Sequence, residues 1–292
     1  GTRVDKRYEN PILEKNGEPL AYNDGEFAPD LMVDFILDFI ERKAEQPFLV
    51  YYPMILTHCP FVPTPHSEDW NPTSAGSPTH KGDKTYFGDM VEYVDHLVGK
   101  IEAELERHGL LENTYLIFTG DNGTDRTVVS MLKGEPFPGR KGTLTDGGTH
   151  VPLIVSRPGT VPAKVHNDLI DFSDFLPTFC EIANSSTNGL TLDGNSFLPQ
   201  LHGETGNPRE FVYCWYNRDM EPGKTQVTAR NQRYKLYKGG KFYDVPNDLQ
   251  EKQPLGTDSL TPEQVAIKGE LQDVLDHYGQ FDRLAQVIDG RQ

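Results

Sequence analysis

In the stretch Leu116–Thr124, LIFTGDNGT, four β-prone residues run directly into Gly120, Asp121, Asn122 and Gly123. The first four predict a strand, and the rest predict either a tight turn or the rim of a site at the end of that strand. Carboxylate and amide oxygens are the ligands that Ca²⁺ and Mg²⁺ take, and flanking glycines let a backbone fold closely around an ion. Taken alone, a DNG tripeptide is more often a solvated turn than a metal site.

Helices and strands alternate on both sides of this stretch. Apolar residues recur at helical spacing over residues 30–43, where Asp30 is placed to cap the helix, and again over residues 85–108, where Gly109 suits the stop. The segments PFLVYYP (47–53) and VPLIVSRPG (151–159) predict buried strands, and residues 173–183 predict a helix. This alternation is typical of βαβ units, so we predict a mostly parallel sheet flanked by helices.

The pattern changes after residue 205. Four short segments rich in aromatic and β-branched residues follow, namely EFVYCWY, TQVTARNQ, YKLYKGG and KFYDV, and then a helix from about Pro262 to His277. Such segments predict a small antiparallel sheet with a terminal helix. The predicted fold is therefore α/β, with residues 1–205 in a larger domain and residues 206–292 in a small α+β subdomain.

The charge balance limits the choice of partners. The chain carries 44 acidic and 28 basic residues, for a net charge of −16. Such a surface repels phosphate backbones and anionic lipids, so we expect neither nucleic acid nor membrane as a partner. No apolar run approaches the roughly 18 residues of a membrane span. An anionic substrate must therefore be attracted by local positive charge.

Two more residues are candidates for such a site. Lys141 lies in GRKGTLTDGGTH, where we expect a flexible glycine frame to let its ammonium reach an oxyanion. His58 follows the predicted strand at 47–53. Sites in parallel α/β sheets lie at the carboxyl ends of strands, which is where both His58 and Asp121 are predicted. Alone, each is more often a surface or structural residue.

In combination these segments resemble the sulfatases, the sulfuric ester hydrolases of the alkaline phosphatase-like superfamily. The resemblance covers nearly the whole chain from residue 24 on. It rests on six segments in order: APDLMVDFILDFIERKAEQPFLVYYPMILTHCPF, YFGDMVEYVDHLVGKIEAELERHGLLENTYLIFTGDNG, GRKGTLTDGGTHVPLIVSRPG, DFSDFLPTFCEIA, LDGNSFLPQLHG and RYKLYKGGKFYDV.

The resemblance implies a role for each candidate. Asp121 and Asn122 match the family's second pair of calcium ligands, with Mg²⁺ as an alternative ion. Lys141 and His58 match residues that contact the sulfate ester, and either is able to give a proton to the departing alcohol. The implied substrate is a sulfated small molecule or carbohydrate. Members of the family are usually exported to the periplasm or cell exterior, or lysosomal.

The family's nucleophile, a formylglycine made in a C-x-P-S-R motif, has no counterpart here, because Cys59, Cys180 and Cys214 all stand in other contexts. The first acidic metal pair, and the lysine and histidine that follow the nucleophile, are missing too. We therefore expect a C-terminal fragment of a sulfatase. Its missing N-terminal segment would supply formylglycine and further calcium ligands.

This expectation has consequences and rivals. The fragment alone is expected to be inactive and, with apolar sheet surface exposed, to self-associate. One alternative is a phosphate or phosphonate ester hydrolase of the same superfamily, and another is a degenerate, non-catalytic member that acts as a binding module. Two residues depart from the family pattern: Asp146 stands where Glu is usual, and His150 where Arg is usual.

Overall fold

The structure is a computed structural model that describes residues 4–280. The chain divides into two compact units, Gly1–Leu116 and Ile117–Gln292. The domain boundary predicted after residue 205 stays a prediction.

The first unit begins with a hairpin that the sequence reading missed. Strands β1 (Ile12–Lys15) and β2 (Glu18–Ala21) pair antiparallel. The connecting residues Asn16 and Gly17 both have positive φ, 54° and 89°. An Asn-Gly pair is the usual sequence of a two-residue hairpin turn, because both positions need that conformation. The sequence therefore contains a local signal for this hairpin.

Two long helices follow, α1 (Ala28–Lys43) and α2 (Phe87–Arg107), as predicted from their apolar stripes. The predicted capping role of Asp30 is wrong. The N-cap of α1 is Phe27, which makes no side-chain cap, and Asp30 lies in the first turn. There its carboxylate accepts a hydrogen bond of 2.6 Å from the Tyr93 hydroxyl of α2. Gly109 has φ +67°, which confirms the predicted stop of α2.

The predicted buried strand at 47–53 is wrong. Phe48 and Tyr52 pack against the helix core formed by Ile36, Ile40 and Leu105, but no strand forms here. The side chains of Leu49 and Tyr51 are 73% and 87% exposed. Among the described residues, no neighbouring strand is present to accept a hydrogen-bond ladder from this segment, so its apolar character does not lead to burial. The expected self-association stays a prediction.

The second unit opens with the predicted strand of the LIFTGDNGT stretch. Strand β3 (Leu116–Thr119) forms as predicted and pairs with a later strand, and the region between the two strands holds a hairpin and one helical turn. Among the described residues, the sheet predicted as mostly parallel is represented by these two paired strands. In chain order the further elements are β4 (Val129–Leu132), β5 (Glu135–Pro138), α3 (Asp146–Thr149), β6 (Leu153–Ser156), α4 (Phe175–Ile182) and α5 (Leu198–Leu201). Strand β6 is the partner of β3.

The predicted antiparallel sheet and terminal helix are confirmed. The sheet consists of four strands, β7 (Val212–Tyr216), β8 (Gln226–Arg230), β9 (Tyr234–Tyr237) and β10 (Phe242–Asp244). They form a meander in the order β10-β9-β8-β7, and a capping box of Thr261 and Gln264 starts helix α6 (Pro262–Gly279). Leu271 and Leu275 of that helix pack on the sheet beside the fully buried Leu236. No helix in the described part of the chain is long and apolar enough to span a membrane.

The packing of α6 on this sheet predicts a stability difference between two Leu→Ala changes. Leu236→Ala removes a fully buried side chain and is expected to lower the free energy of unfolding by about 3 kcal/mol. The matched control, Leu190→Ala, alters an exposed side chain and should cost less than about 0.5 kcal/mol. Urea unfolding of both variants measures the difference. Equal losses would contradict the assigned core.

Candidate functional site

The carboxyl end of β3 presents two oxygen-bearing side chains. Asp121 is exposed and Asn122 is half-buried, and neither side chain has a hydrogen-bond or ionic partner among residues 4–280. The Gly120 N–H donates to the Pro152 carbonyl, 3.3 Å away, just before β6. The backbone is thus hydrogen-bonded as far as Gly120, while the carboxylate and amide oxygens of Asp121 and Asn122 remain available to a ligand.

The loop that carries Lys141 is joined to this strand end through backbone hydrogen bonds. The Lys141 N–H donates to the Thr124 carbonyl at 3.0 Å, and the Gly123 N–H donates to the Gly148 carbonyl at 2.9 Å. The first bond holds the loop at Lys141, and the second holds it at Gly148. They join the segment that carries Asp121 and Asn122 to the loop that carries Lys141. The roles predicted for these three residues stay predictions.

The glycines of this loop serve close packing, which corrects the expectation of a flexible frame. A Cβ at Gly139 would lie 2.1 Å from the Asp125 carbonyl oxygen, and one at Gly148 would lie 2.2 Å from that of Thr143. Across the junction, a Cβ at Gly123 would lie 2.0 Å from the Gly147 oxygen. No side chain fits such spaces. The glycines therefore let two backbones touch, and the loop is held rather than loose.

Arg126 fixes the carbonyl side of the same loop. Its Nε donates to the Lys141 carbonyl at 2.8 Å and its Nη2 to the Gly142 carbonyl at 3.0 Å. Gly142 has φ +77°, a conformation that favours glycine. The Lys141 ammonium itself has no hydrogen-bond or ionic partner in the described part of the chain. Its backbone is thus fixed, while its charge stays available to an anion.

A buried ion cluster anchors the far end of the loop. Lys235 of β9 is 1% exposed. Its ammonium donates to the Leu144 carbonyl at 2.9 Å, Asp146 Oδ1 at 3.0 Å and Glu251 Oε1 at 2.6 Å. Arg230 of β8 donates to the same Asp146 oxygen at 2.6 Å. The lysine and two carboxylates are therefore buried together beside the partly buried Arg230, and all three protons of the ammonium have an acceptor.

The cluster keeps Asp146 ionised. Burial alone would raise the pKa of this carboxyl, but a hydrogen bond from His150 and the charges of Lys235 and Arg230 outweigh it and hold the pKa well below its usual range. Tyr237 donates to Glu251 Oε2 at 2.5 Å, and burial together with this bond raises the pKa of its phenol. Both acids of the cluster therefore accept hydrogen bonds from fixed donors.

His58 lies in the first unit, exposed, just beyond the 47–53 segment. The Tyr8 hydroxyl lies 2.5 Å from the His58 carbonyl and 2.8 Å from that of Ile55, which fixes the backbone here. Of the four predicted site residues, the described contacts bring together Asp121, Asn122 and Lys141, all within the second unit. The role of His58 stays a prediction.

A sequence model described as Sulfatase matches residues 2–185, more than half of the chain. The chain belongs to the sulfatase family. A second model, described as N-sulphoglucosamine sulphohydrolase, C-terminal, matches residues 140–277. It includes the Lys141 loop and the antiparallel sheet of this sulfatase.

The sulfatase chain also resembles individual proteins. It is 30% identical to human arylsulfatase A over 213 residues, which are 72% of this chain and 38% of that protein. It is 28% identical over 270 residues to a sulfatase of Formosa agariphila, covering 82% of this chain and 48% of that one. The chain thus spans less than half the length of these two relatives.

Solved structures confirm the predicted fold. One, described as Ps i-CgsB in complex with k-i-k-neocarrahexaose, matches with a TM-score of 0.70 and 21% identity, covering 95% of this chain and 59% of that one. Another, in complex with its substrate D-glucosamine-2-N,6-O-disulfate, matches with a TM-score of 0.69 and 18% identity, covering 98% and 75%. The sulfatase α/β fold with its small antiparallel sheet and C-terminal helix is therefore confirmed.

The sequence reading missed the anchoring role of the ion cluster. It noted Asp146 and His150 only as departures from the family pattern, whereas the structure places Asp146 at the centre of the cluster, with His150 Nδ1 3.5 Å from Asp146 Oδ2. One signal was available. Lys235 stands between Tyr234 and Leu236 in a strand of otherwise apolar and aromatic residues, where a lysine must be paired if it is buried.

The low pKa of Asp146 predicts how the sulfatase chain responds to acid. An aspartate whose pKa is lower in the folded than in the unfolded state stabilises the fold at pH values above the unfolded-state pKa. That stabilisation is lost as the pH falls below about 4 toward the folded-state pKa. Asp146→Asn should lower the free energy of unfolding at pH 7 by about 3–5 kcal/mol, because buried cations lose their partner. It should also flatten the pH dependence below pH 4.

The control for this experiment is Asp38→Asn, which removes an exposed ion pair with Arg42 on α1. It should change stability by less than about 1 kcal/mol and keep the acid slope. Denaturant titrations at several pH values measure both variants. Parallel pH profiles for wild type and Asp146→Asn would contradict the assignment.

Proposed function

We propose that this chain carries part of the active site of an enzyme that hydrolyses sulfate esters. The observation that carries the proposal is the hydrogen bond from the Lys141 N–H to the Thr124 carbonyl, in a chain of the sulfatase family. It joins a lysine to a strand end, and within residues 4–280 neither the lysine ammonium nor the carboxylate and amide of the strand end has a partner. Positive charge beside oxygen ligands suits an anionic ester.

The oxygen donors of Asp121 and Asn122 are of the type that Ca²⁺ or Mg²⁺ takes. Two residues supply fewer donors than the six to eight of a calcium site. Within residues 4–280, no group of three or more His, Cys, Asp or Glu is placed to hold a metal ion. We propose that Asp121 and Asn122 are half of the site and that further ligands come from outside this chain. A bound cation would act as a Lewis acid on the ester oxygens.

Lys141 is proposed to contact the sulfuryl oxygens. These oxygens gain negative charge as the ester bond breaks, and a fixed ammonium stabilises that charge without reorganising. We propose His58 as a second residue that contacts the same ester. The nucleophile, a formylglycine, is proposed to come from a segment outside this chain, because the sequence contains no C-x-P-S-R motif.

A sulfated carbohydrate is the substrate class we propose to test first. Two proteins of similar fold hold a neocarrahexaose and a glucosamine disulfate. The strongly acidic surface repels a sulfated ligand in general, so binding would depend on the local charge of Lys141 and of a bound cation. A sulfated small molecule remains the alternative substrate.

The proposal predicts that the 292-residue chain alone does not turn over an aryl sulfate, with or without added calcium. It also predicts that the coding sequence upstream of Thr2 contains the C-x-P-S-R motif and an acidic pair. The longer protein should hydrolyse the aryl sulfate and not the matching aryl phosphate. Turnover by the chain alone would contradict the proposal, and preference for the phosphate would favour the rival hydrolase. An upstream sequence without the motif would favour a binding module.

In the active longer protein, Lys141→Ala is expected to lower kcat/KM for the sulfate ester by about 10²–10³-fold, because a fixed charge facing the transition state is lost. Lys133→Ala is the matched control, since it removes an exposed lysine of the same hairpin-containing region. It should leave kcat/KM within about twofold of wild type. Equal losses in the two variants would remove Lys141 from the site.

A further inference from the structure

The first unit contains a cluster of polar residues around His58. The proposed function assigns no role to these surrounding residues. Its central member is Arg7, which reaches the imidazole across 51 positions of sequence. The carboxylate of Asp5 lies beside it, 3.9 Å from Arg7 Nη2, and accepts a hydrogen bond of 3.1 Å from the Arg7 backbone N–H. Asp5 therefore holds the Arg7 backbone and places a negative charge near its guanidinium.

The Arg7 guanidinium faces one nitrogen of the imidazole ring. Its Nη1 lies 2.5 Å from His58 Nδ1 and also donates to the Cys59 carbonyl. Two other groups approach the same ring nitrogen: the Cys59 carbonyl oxygen at 2.7 Å and the Cys59 sulfur at 3.7 Å. On the outer side, His80 Nε2 lies 3.9 Å from that sulfur.

The donor and acceptor inventory assigns the proton. A guanidinium nitrogen only donates, so a ring nitrogen in contact with it must accept and carry no hydrogen. The Nη1 amino group has two hydrogens, one for Nδ1 and one for the Cys59 carbonyl. The two acceptors lie 2.7 Å apart, and the positive charge of the guanidinium that both contact offsets the repulsion between them. In the opposite tautomer the Nδ1 hydrogen would compete with the guanidinium for the Cys59 carbonyl, and two donor nitrogens, one of them cationic, would lie 2.5 Å apart.

We infer that Arg7 is a positioning residue that fixes His58 in the tautomer with its proton on Nε2. What His58 does with that proton rests on the proposed function. An Nε2–H is a hydrogen-bond donor to an anionic ester oxygen, whereas the other tautomer would present a lone pair and repel it. The His58 side chain is exposed, and Tyr8 holds the His58 backbone carbonyl. Arg7 therefore determines whether Nε2 of the exposed ring acts as a hydrogen-bond donor or as an acceptor.

The test is a measurement of the tautomer in the 292-residue chain, which needs no sulfate ester turnover. Long-range ¹H–¹⁵N correlation spectra of the ¹⁵N-histidine-labelled chain, recorded at a pH where the ring is neutral, distinguish protonated from unprotonated ring nitrogens. His58→Gln identifies the His58 signals by their loss. The expected result is a protonated Nε2 and an unprotonated Nδ1. A protonated Nδ1 in the wild-type chain overturns the inference without any variant.

A variant then tests the role of Arg7 itself. In Arg7→Met the donor is removed, and the two ¹⁵N shifts of His58 should move toward each other as the tautomers mix. Arg218→Met, which removes an exposed arginine elsewhere, should leave those shifts unchanged. Unchanged shifts in folded Arg7→Met would also overturn the inference. Neither result bears on whether the longer protein hydrolyses sulfate esters, so the two proposals fail separately.

Discussion

The second unit depends on how the ammonium of Lys235 is accommodated in the interior. Burying a lysine is costly unless all of its donors are satisfied and its charge is balanced. Here Leu144, Asp146 and Glu251 accept its three hydrogens, and the two carboxylates balance its charge and that of Arg230. Asp146 is separated from Lys235 by 89 positions, so the cluster ties the loop after Lys141 to the antiparallel sheet.

The loop that carries Lys141 is also fixed at its other end. Backbone hydrogen bonds at Lys141 and Gly123 join the loop to the end of β3, and Arg126 holds the Lys141 carbonyl. The lysine is therefore placed between two anchors, and its ammonium has no partner among the residues that the structure describes. Catalytic charge is most effective when it is fixed before the reaction begins, because no energy is then spent on ordering it. The glycines contribute by allowing the backbones to touch.

The sequence predicted those features that have a regular period. The apolar stripes of α1 and α2, the four strands of the meander and the capped helix α6 were all recognised from spacing and turn residues. The prediction of a strand at 47–53 was wrong. Apolar residues indicate that a segment prefers burial, but they do not indicate whether a neighbouring strand is present to pair with it. Asn16-Gly17 was a local signal that the sequence reading overlooked.

The site was predictable only in part, for a physical reason. Asp121, Asn122 and Lys141 lie in short glycine-containing segments, so residue type and the resemblance sufficed to single them out. The cluster of Asp146, Lys235 and Glu251 joins positions far apart in the chain, and no local pattern encodes which buried acid meets which buried base. The contact of Arg7 with His58 is of the same kind.

The central claim is that the Lys141 loop and the end of β3 form one preordered unit held by the buried cluster. Hydrogen exchange of the Gly123 and Lys141 amides tests it most directly, in wild type and in Lys235→Met. The account predicts that both amides are protected in wild type to a similar degree and lose protection together in the variant. Exchange of both amides at the rate of an unstructured loop in the wild-type chain would contradict it.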